Sequence, residues 1–428
     1  MEEIISRSIE RIYRRFFGEE LTEPVNIFFK NLIYMILGYG VAAIFIFIFQ
    51  ILVGRALGPQ EYGKYALIDS MGAFLSIFMT LGISTAAIKY NAQKDDYLRQ
   101  REIISISYFT TIFISLIFAG IFLILSEFVS KFFSISPLVF FTSVVFSVFY
   151  SLYLLAMDSL SGLHQMKKIA FFRAIYGLLV LVLTSAFLIK GNISFVVISL
   201  IISLAYLIIF LSVTYNIKNY ISLKIDKTWL KILLEFGIYA VSGSFLLVFL
   251  PSLSKIMVYR FMTIFDVGVY NAYYFSSLSV VILFNTIFIT VFFPTVSRYS
   301  RKSSIIEKIN KITPIFFLLG IPFLFLIQLV VLSFFGKQYP TDYWLMLLFA
   351  ISGVMFFLYS IYTCFFYSQG ITQARQIVIL TIVIFIINIL LSAYLIPLLL
   401  LKGAVLSLIL TYLFGWIYLI LNQKNLTN

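Results

Sequence analysis

The sequence is poor in the residues that build disulfides, metal centres and water-exposed surfaces. Its 428 residues include one cysteine, Cys364, and one histidine, His164, and only 11% of them are charged. One cysteine cannot close an intrachain disulfide, and one histidine cannot supply a histidine-based metal cluster. A soluble domain carries about 25% charged residues, so this chain has too little charge to cover a surface in water. We therefore expect neither a disulfide framework, nor a metal site, nor a soluble fold.

Signatures of catalysis are missing as well. The sequence contains no Gly-rich phosphate loop of the Walker type and no nucleophile and base at reactive spacing. The loops between its apolar segments are too short to hold a soluble catalytic domain. We expect a protein that is not an enzyme and that uses no cofactor.

Apolar residues are abundant. They make up 62% of the chain, and the mean hydropathy is +1.04. A helix needs about 20 apolar residues to cross a bilayer. The sequence has twelve apolar runs of about that length, so it predicts an all-α integral membrane protein with twelve transmembrane helices.

One polar motif occurs twice in this apolar background. Residues 55–65 read RALGPQEYGKY, and residues 260–270 read RFMTIFDVGVY. The positions in register are Arg55 and Arg260, Glu61 and Asp266, Gly63 and Gly268, and Tyr65 and Tyr270. We expect each glycine to permit a tight turn into the next helix, Pro59 to stiffen the first turn, and each acid to cap the helix that follows.

A repeat near half the chain length indicates two copies of one unit. The predicted organisation is an N-terminal amphipathic segment at 1–29, an N lobe at 30–217, a linker at 218–231, a C lobe at 232–422 and a tail at 423–428. Each lobe holds six spans. Because an even number of spans returns the chain to its starting side, the two repeats are parallel, with a pseudo-two-fold axis along the membrane normal.

The basic residues predict the orientation. With a cytoplasmic N-terminus, most of the 31 lysines and arginines fall in cytoplasmic loops, as the positive-inside rule requires. We expect a multi-pass protein of the cell membrane with both termini in the cytoplasm. The net charge of +13 is then a topology signal, and nucleic acid is not an expected partner. Segment 1–29 is either an interfacial helix that contacts anionic lipid headgroups or a solvated leader.

Charged residues at membrane depth are the candidate functional residues, because burying a charge there is costly. Lys255 follows Pro251 in the seventh span and is a candidate cation for a phosphate-bearing substrate. Its alternative role is a lysine that reaches to the outer interface. Asp69 and Asp158 are candidates to carry a proton or sodium ion, or to neutralise an arginine. Arg173 belongs to a basic rim at the cytoplasmic mouth, which either gathers an anionic lipid headgroup or only sets topology.

Four motifs carry a family resemblance. Residues 54–66, followed by LGIST at 81–85, resemble the polysaccharide flippases of the multidrug/oligosaccharidyl-lipid/polysaccharide exporter superfamily. In the second half, DVGVYNA at 266–272 and FPTVSR at 293–298 resemble signatures of the same family.

The resemblance implies two six-helix lobes around a central cavity. Such proteins move a lipid-pyrophosphate-linked oligosaccharide from the inner to the outer leaflet by alternating access, and basic residues hold the pyrophosphate. Lys255 is the first candidate for that role, and further candidates are Arg260, Arg55, Arg173 and Lys89. The partners implied are the lipid-linked oligosaccharide, membrane lipids and a coupling ion, H⁺ or Na⁺, at Asp69 or Asp158. Two alternatives remain open, namely a drug or cation antiporter of the same fold and a non-transporting subunit of a polysaccharide assembly pathway.

Overall fold

The structure is a computed structural model that describes residues 23–92, 96–133, 135–191, 193–222, 227–298, 302–369 and 371–423. Residues 1–22 lie outside the described ranges, and with them most of the predicted amphipathic segment. Residues 223–226 of the predicted linker and 424–428 of the predicted tail also lie outside. The described residues are helical apart from short connections, and they include no β-strand.

The first half of the chain forms six spans. Spans 1 and 2 lie within Glu23–Thr80, and spans 3 to 6 are Tyr97–Ile124, Pro137–Gly162, Met166–Ile189 and Phe195–Asn216. Three short elements extend them, namely the helices Ile83–Ala92 and Ser126–Phe133 and a 3₁₀ turn at Lys218–Tyr220.

The second half also forms six spans, two of which contain a π-helical turn. Span 7 is Lys227–Phe261. Span 8 runs through Ile264–Tyr274, the π turn Phe275–Ser279 and Val280–Arg298. Span 9 runs through Lys302–Ile315, the π turn Phe316–Gly320 and Ile321–Phe335. Spans 10 to 12 are Tyr343–Tyr367, Ile371–Leu399 and Leu401–Asn422.

A glycine separates spans 1 and 2. The segment Glu23–Thr80 has 58 residues, which is far more than the roughly 20 needed to cross a bilayer. Gly58 interrupts it with φ 70° and ψ 169°, and Pro59 follows at once. Ten helices of the described chain are long and apolar enough to span a membrane, and one of them contains both spans 1 and 2. With span 7, the described chain has twelve spans, as the sequence predicts.

The roles predicted for the repeated motif are only partly correct. Gly63 and Gly268 lie inside helices and not in turns, so that prediction is wrong; the positive φ falls at Gly58 instead. Asp266 does cap span 8, because it forms a capping box with Thr263. Glu61 instead pairs with Lys64 at 2.5 Å within its own helix.

Polar residues begin several spans. The side chain of Ser136 caps span 4 and that of Ser194 caps span 6, each by accepting a hydrogen bond from a backbone N–H of the first turn. The Asp342 side chain accepts from the N–H groups of Trp344 and Leu345 at the start of span 10. These caps satisfy amides that have no partner inside the helix.

The two halves meet at both ends of the bundle. We call the end that carries Arg55, Arg260 and loop 336–342 the Arg55 end, and the end that carries Lys89, Arg173 and Lys218 the basic end. At the Arg55 end the Gln338 amide donates to the carbonyl of Arg55 at 2.6 Å, and the Tyr339 hydroxyl donates to the carbonyl of Gly54 at 2.7 Å.

At the basic end, the first turns of span 7 pack on the first half of the chain. Leu233 shares a buried cluster with residues of the short helix after span 2 and of span 3, namely Ala86, Ala87, Ile103 and Ile106. Span 7 therefore contacts the N-terminal spans before it reaches Lys255.

Candidate functional site

Lys255 lies between the two halves of the protein. It is on span 7, four residues after Pro251, and its side chain is buried. Its ammonium nitrogen lies 3.8 Å from a carboxylate oxygen of Asp69 on span 2 and 4.9 Å from the ring centroid of Tyr274 on span 8. The side chain therefore points into the protein and not into lipid.

Asp69 is the more open member of this ion pair. Its side chain is 47% exposed, whereas that of Lys255 is 7% exposed. The carboxylate thus borders open space, and the ammonium is reached past it. Because Asp69 is open, another anion can take its place beside Lys255 while the lysine stays buried.

The position that repeats Lys255 in the first half is Gln50, and it is neutral and hydrogen-bonded. Its amide nitrogen donates to the hydroxyl of Tyr65 at 3.1 Å, and its carbonyl oxygen accepts from the hydroxyl of Tyr62 at 3.0 Å. The two halves therefore differ at this level, because only the second half contributes a cation.

Four tyrosines from spans 4, 5 and 6 form a cluster beside Asp69. They are Tyr150, Tyr153, Tyr176 and Tyr206, with neighbouring ring centroids 4.8 to 6.4 Å apart. The rings of Tyr176 and Tyr206 are nearly parallel, at 2° and 5.0 Å. We call these four residues the tyrosine cluster. Sequence reasoning missed it, because only Tyr150 and Tyr153 are neighbours along the chain.

The tyrosine cluster connects two charged centres. Tyr150 lies within electrostatic range of Asp69, Arg173 and Asp158. The guanidinium of Arg173 lies 4.7 Å from the ring centroid of Tyr39, and its Nε is buried without a hydrogen-bond partner. Asp158 lies within electrostatic range of the same arginine and near the side chain of Ser84. Arg173 and Asp158 therefore form a second centre within the first half.

The other candidates lie elsewhere. Arg55 and Arg260 are exposed at the Arg55 end, where the backbone carbonyl of Arg55, and not its guanidinium, bonds Gln338. Lys89 is exposed at the basic end, and its ammonium lies 3.7 Å from the ring centroid of Phe236. The seven predicted site residues therefore fall into separate groups, and among them Lys255 and Asp69 form an ion pair with each other across the two halves.

Two further tyrosines lie at the charged centres. Tyr274 lies beside Lys255 and Tyr39 beside Arg173. Tyr273 has a structural role, because its hydroxyl donates to the carbonyl of Pro340 at 2.7 Å and accepts from the N–H of Asp342 at 2.8 Å.

Charges of both signs border the tyrosine cluster. Lys255 and Asp69 form one ion pair, and Arg173 lies within electrostatic range of Asp158. Within the described chain, no group of three or more histidine, cysteine, aspartate or glutamate side chains is placed to hold a metal ion.

Several solved structures share this fold. An inward-facing multidrug resistance MATE family transporter of the MOP superfamily aligns with a TM-score of 0.70 at 13% identity, covering 91% of this chain and 94% of that one. An outward-facing form aligns with a TM-score of 0.59 at 13% identity, covering 95% and 97%. A MOP superfamily transporter from Pyrococcus furiosus, described as having a binding pocket of reverse polarity, gives 0.58 at 14% identity, covering 95% and 98%.

The chain thus has the fold that these structures share, a multi-pass all-helical membrane fold with twelve helices in two lobes, as predicted. The family is assigned from the sequence. Residues 52–343 match the model of a family described as polysaccharide biosynthesis protein. The chain belongs to that family. No curated protein matches it in sequence.

Proposed function

We propose that this protein carries a polyprenyl-(pyro)phosphate-linked oligosaccharide from the inner to the outer leaflet by alternating access. Membership of a polysaccharide biosynthesis family supports a glycan cargo, and the MOP fold supports transport. The observation that carries the proposal is the buried ammonium of Lys255 between the lobes, because a phosphate group is a natural partner for a cation at membrane depth.

The proposed orientation places the basic end in the cytoplasm, since lysines and arginines are concentrated in cytoplasmic loops. The Arg55 end then faces outward, both termini are cytoplasmic, and the host membrane is the plasma membrane. With the lobes joined at the Arg55 end by Gln338 and Tyr339, cargo enters from the inner leaflet. The higher TM-score with the inward-facing relative agrees with this direction.

Cargo phosphate and Asp69 compete for one lysine. Asp69 now holds the ammonium at 3.8 Å, and a phosphate that binds Lys255 takes the place of the carboxylate. Asp69 then loses its partner and accepts a proton or Na⁺ to balance its charge. The exchange couples one cation to one cargo molecule, with Asp158 as the second candidate for the ion.

The tyrosine cluster provides for the sugar. Tyr150, Tyr153 and Tyr176 are half-buried, so part of each ring or hydroxyl is open to a ligand. Aromatic faces pack on the apolar faces of sugar rings, and phenol hydroxyls bond their oxygens. Arg173 lies at the far side of the cluster and is placed to hold a second anionic group of the cargo.

The test is leaflet-resolved transport in proteoliposomes. A short-chain polyprenyl diphosphate carrying a fluorescent oligosaccharide is loaded on one side, and its arrival on the other is followed by quenching. We expect Lys255→Gln to lower the initial rate at least tenfold and Lys255→Arg to retain part of it. The matched control is Lys131→Gln, an exposed lysine in the short helix after span 3, which should transport normally.

Two results would contradict the proposal. If wild type and Lys255→Gln move the cargo at the same rate, Lys255 has no transport role. If the wild type exchanges organic cations for protons and does not move the lipid-linked sugar, the protein is an antiporter of the same fold.

A further inference from the structure

A groove opens at the basic end of span 6, away from the candidate cargo site. Its volume is about 490 Å³. Its lining comes from the last turns of span 6 and from the connection that follows, and consists of Leu211, Thr214, Tyr215, Lys218, Ile221 and Ser222. The groove is mainly apolar, and Lys218 is the one cation among its six lining residues.

The connection that forms one wall is fixed to span 3. The Tyr97 hydroxyl donates to the carbonyl of Asn219 at 2.7 Å, and the N–H of Ser222 donates to the hydroxyl of Ser105 at 2.7 Å. The rings of Tyr97 and Tyr220 lie 5.1 Å apart. These contacts hold the wall in place without a ligand, so the groove is preformed.

The groove continues a lipid-facing stripe. Leu200, Leu204, Leu211 and Tyr215 are each about half or more exposed, and their spacing of four and seven residues puts them on one face of span 6. An apolar stripe that ends in a groove at the membrane interface suits an acyl chain with its headgroup at the end.

Two lysines lie at this end of span 6. The ammonium of Lys218 lies 4.4 Å from the ring centroid of Tyr215, and that of Lys168 bonds the side-chain oxygen of Asn216 at 2.6 Å. Lys168 keeps two further N–H donors, because an ammonium has three. None of the six lining side chains is acidic, so the groove favours an anionic over a zwitterionic headgroup.

We propose that this groove binds an anionic phospholipid, with its phosphate at Lys218 and Lys168 and an acyl chain along the exposed face of span 6. The occupant is a bulk lipid of the leaflet at the basic end and not the cargo. The site is separate from Lys255, so it does not depend on the proposed transport function.

The test measures lipid binding to the purified full-length protein in detergent by native mass spectrometry, with phosphatidylglycerol and phosphatidylcholine as probes. We expect phosphatidylglycerol to bind more tightly than phosphatidylcholine. A juxtamembrane lysine contributes roughly fivefold in affinity for anionic lipid. Lys218→Gln and Lys168→Gln should each weaken phosphatidylglycerol binding by about that factor, and the double variant by more than tenfold.

Two further variants distinguish the groove from general surface charge. Leu211→Trp keeps every charge but fills the groove, and should weaken phosphatidylglycerol binding. Lys131→Gln removes an exposed lysine elsewhere and should leave it unchanged. Lys255→Gln should also bind the lipid normally, which separates this site from cargo transport.

Three outcomes would overturn the proposal. One is equal binding of the two phospholipids by the wild type. Another is an equal loss of binding in Lys131→Gln and Lys218→Gln. The third is preferential binding of polyprenyl phosphate over phosphatidylglycerol in a manner that depends on Lys218, which would make the groove a cargo site.

Discussion

Gly63 on span 2 and Gly268 on span 8 touch across the interface between the halves. A methyl group on Gly63 would overlap the carbonyl oxygen of Ile264 and lie 2.9 Å from the backbone nitrogen of Gly268. One on Gly268 would overlap the carbonyl oxygen of Pro59. The two glycines that the sequence repeat puts in register therefore form a single backbone-to-backbone contact. Closure of the Arg55 end requires that both lack a side chain.

Gly63→Ala and Gly268→Ala should each open the Arg55 end, because the clash is with backbone, which cannot rotate away. We expect a longer distance between spin labels at Gln60→Cys and Thr341→Cys, measured by pulsed electron resonance in a Cys364→Ser background. The control is Gly120→Ala, where an added methyl meets nothing within 4 Å. It should leave the distance unchanged and stabilise span 3 by about 0.5–1 kcal/mol. Unaltered distances in both variants would show that these glycines do not control closure.

Gln338→Ala should also favour opening. Gly58 ends the helix of span 1, so the last carbonyls of that span have no N–H four residues later to accept from, and Gln338 donates to the carbonyl of Arg55 at 2.6 Å. A hydrogen bond contributes about 1 kcal/mol net, which corresponds to a roughly fivefold gain in the open population. The same label pair measures it. The control is Gln60→Ala. Because Gln60 is itself a label position, the first label is moved to Arg55→Cys for this variant and for its wild-type reference. A population equal to that of the wild type would contradict this role.

Asp69→Asn should cost more stability than the double variant Asp69→Asn with Lys255→Met. The single change leaves a buried ammonium without its carboxylate, and the double change removes the buried charge too. Thermal unfolding in detergent at pH 7, followed by intrinsic fluorescence, measures the difference. Lys255→Met alone completes the comparison, and a double variant whose loss equals the sum of the two single losses would indicate that the two residues are not coupled.

The contribution of Asp342 to stability should depend on pH. Partial burial opposes ionisation, but the hydrogen bond from Lys402 and the N–H groups of Leu345 and Trp344 outweigh it, so the pKa of Asp342 lies below its usual value. Its stabilisation is present above the ordinary aspartate pKa of about 4 and is lost as the pH falls through the lower pKa of the folded protein. Asp342→Asn, which keeps an N-cap, should lower the melting temperature at pH 6, and the difference from wild type should shrink by pH 3.5. A difference independent of pH would exclude this ionisation.

The spans were predictable because apolar runs of sufficient length have few other roles. The break at Gly58-Pro59 was visible in the sequence, yet the tight turn was expected at Gly63. Local sequence cannot distinguish a glycine that turns the chain from one that admits another helix, since the second role depends on a partner about 200 residues away.

The candidate site was predictable one residue at a time. Lys255 and Asp69 each stood out as a charge in an apolar run, but nothing along the chain paired them. The tyrosine cluster was missed for the same reason, because Tyr150, Tyr176 and Tyr206 come from three different spans and share no spacing. Contacts between distant spans arise from packing, which a single sequence does not specify.

Loop 336–342 is tied far more firmly to one half than to the other. The Tyr273 hydroxyl forms hydrogen bonds with the carbonyl of Pro340 and the N–H of Asp342, and the Lys402 ammonium lies 3.0 Å from the Asp342 carboxylate. Toward the other half, the side chains of Gln338 and Tyr339 donate to the carbonyls of Arg55 and Gly54, and the Tyr339 ring lies 6.4 Å from that of Tyr62. When the two halves separate at the Arg55 end, we expect the loop to move as one body with span 10. Opening of the Arg55 end then requires no refolding of loop 336–342.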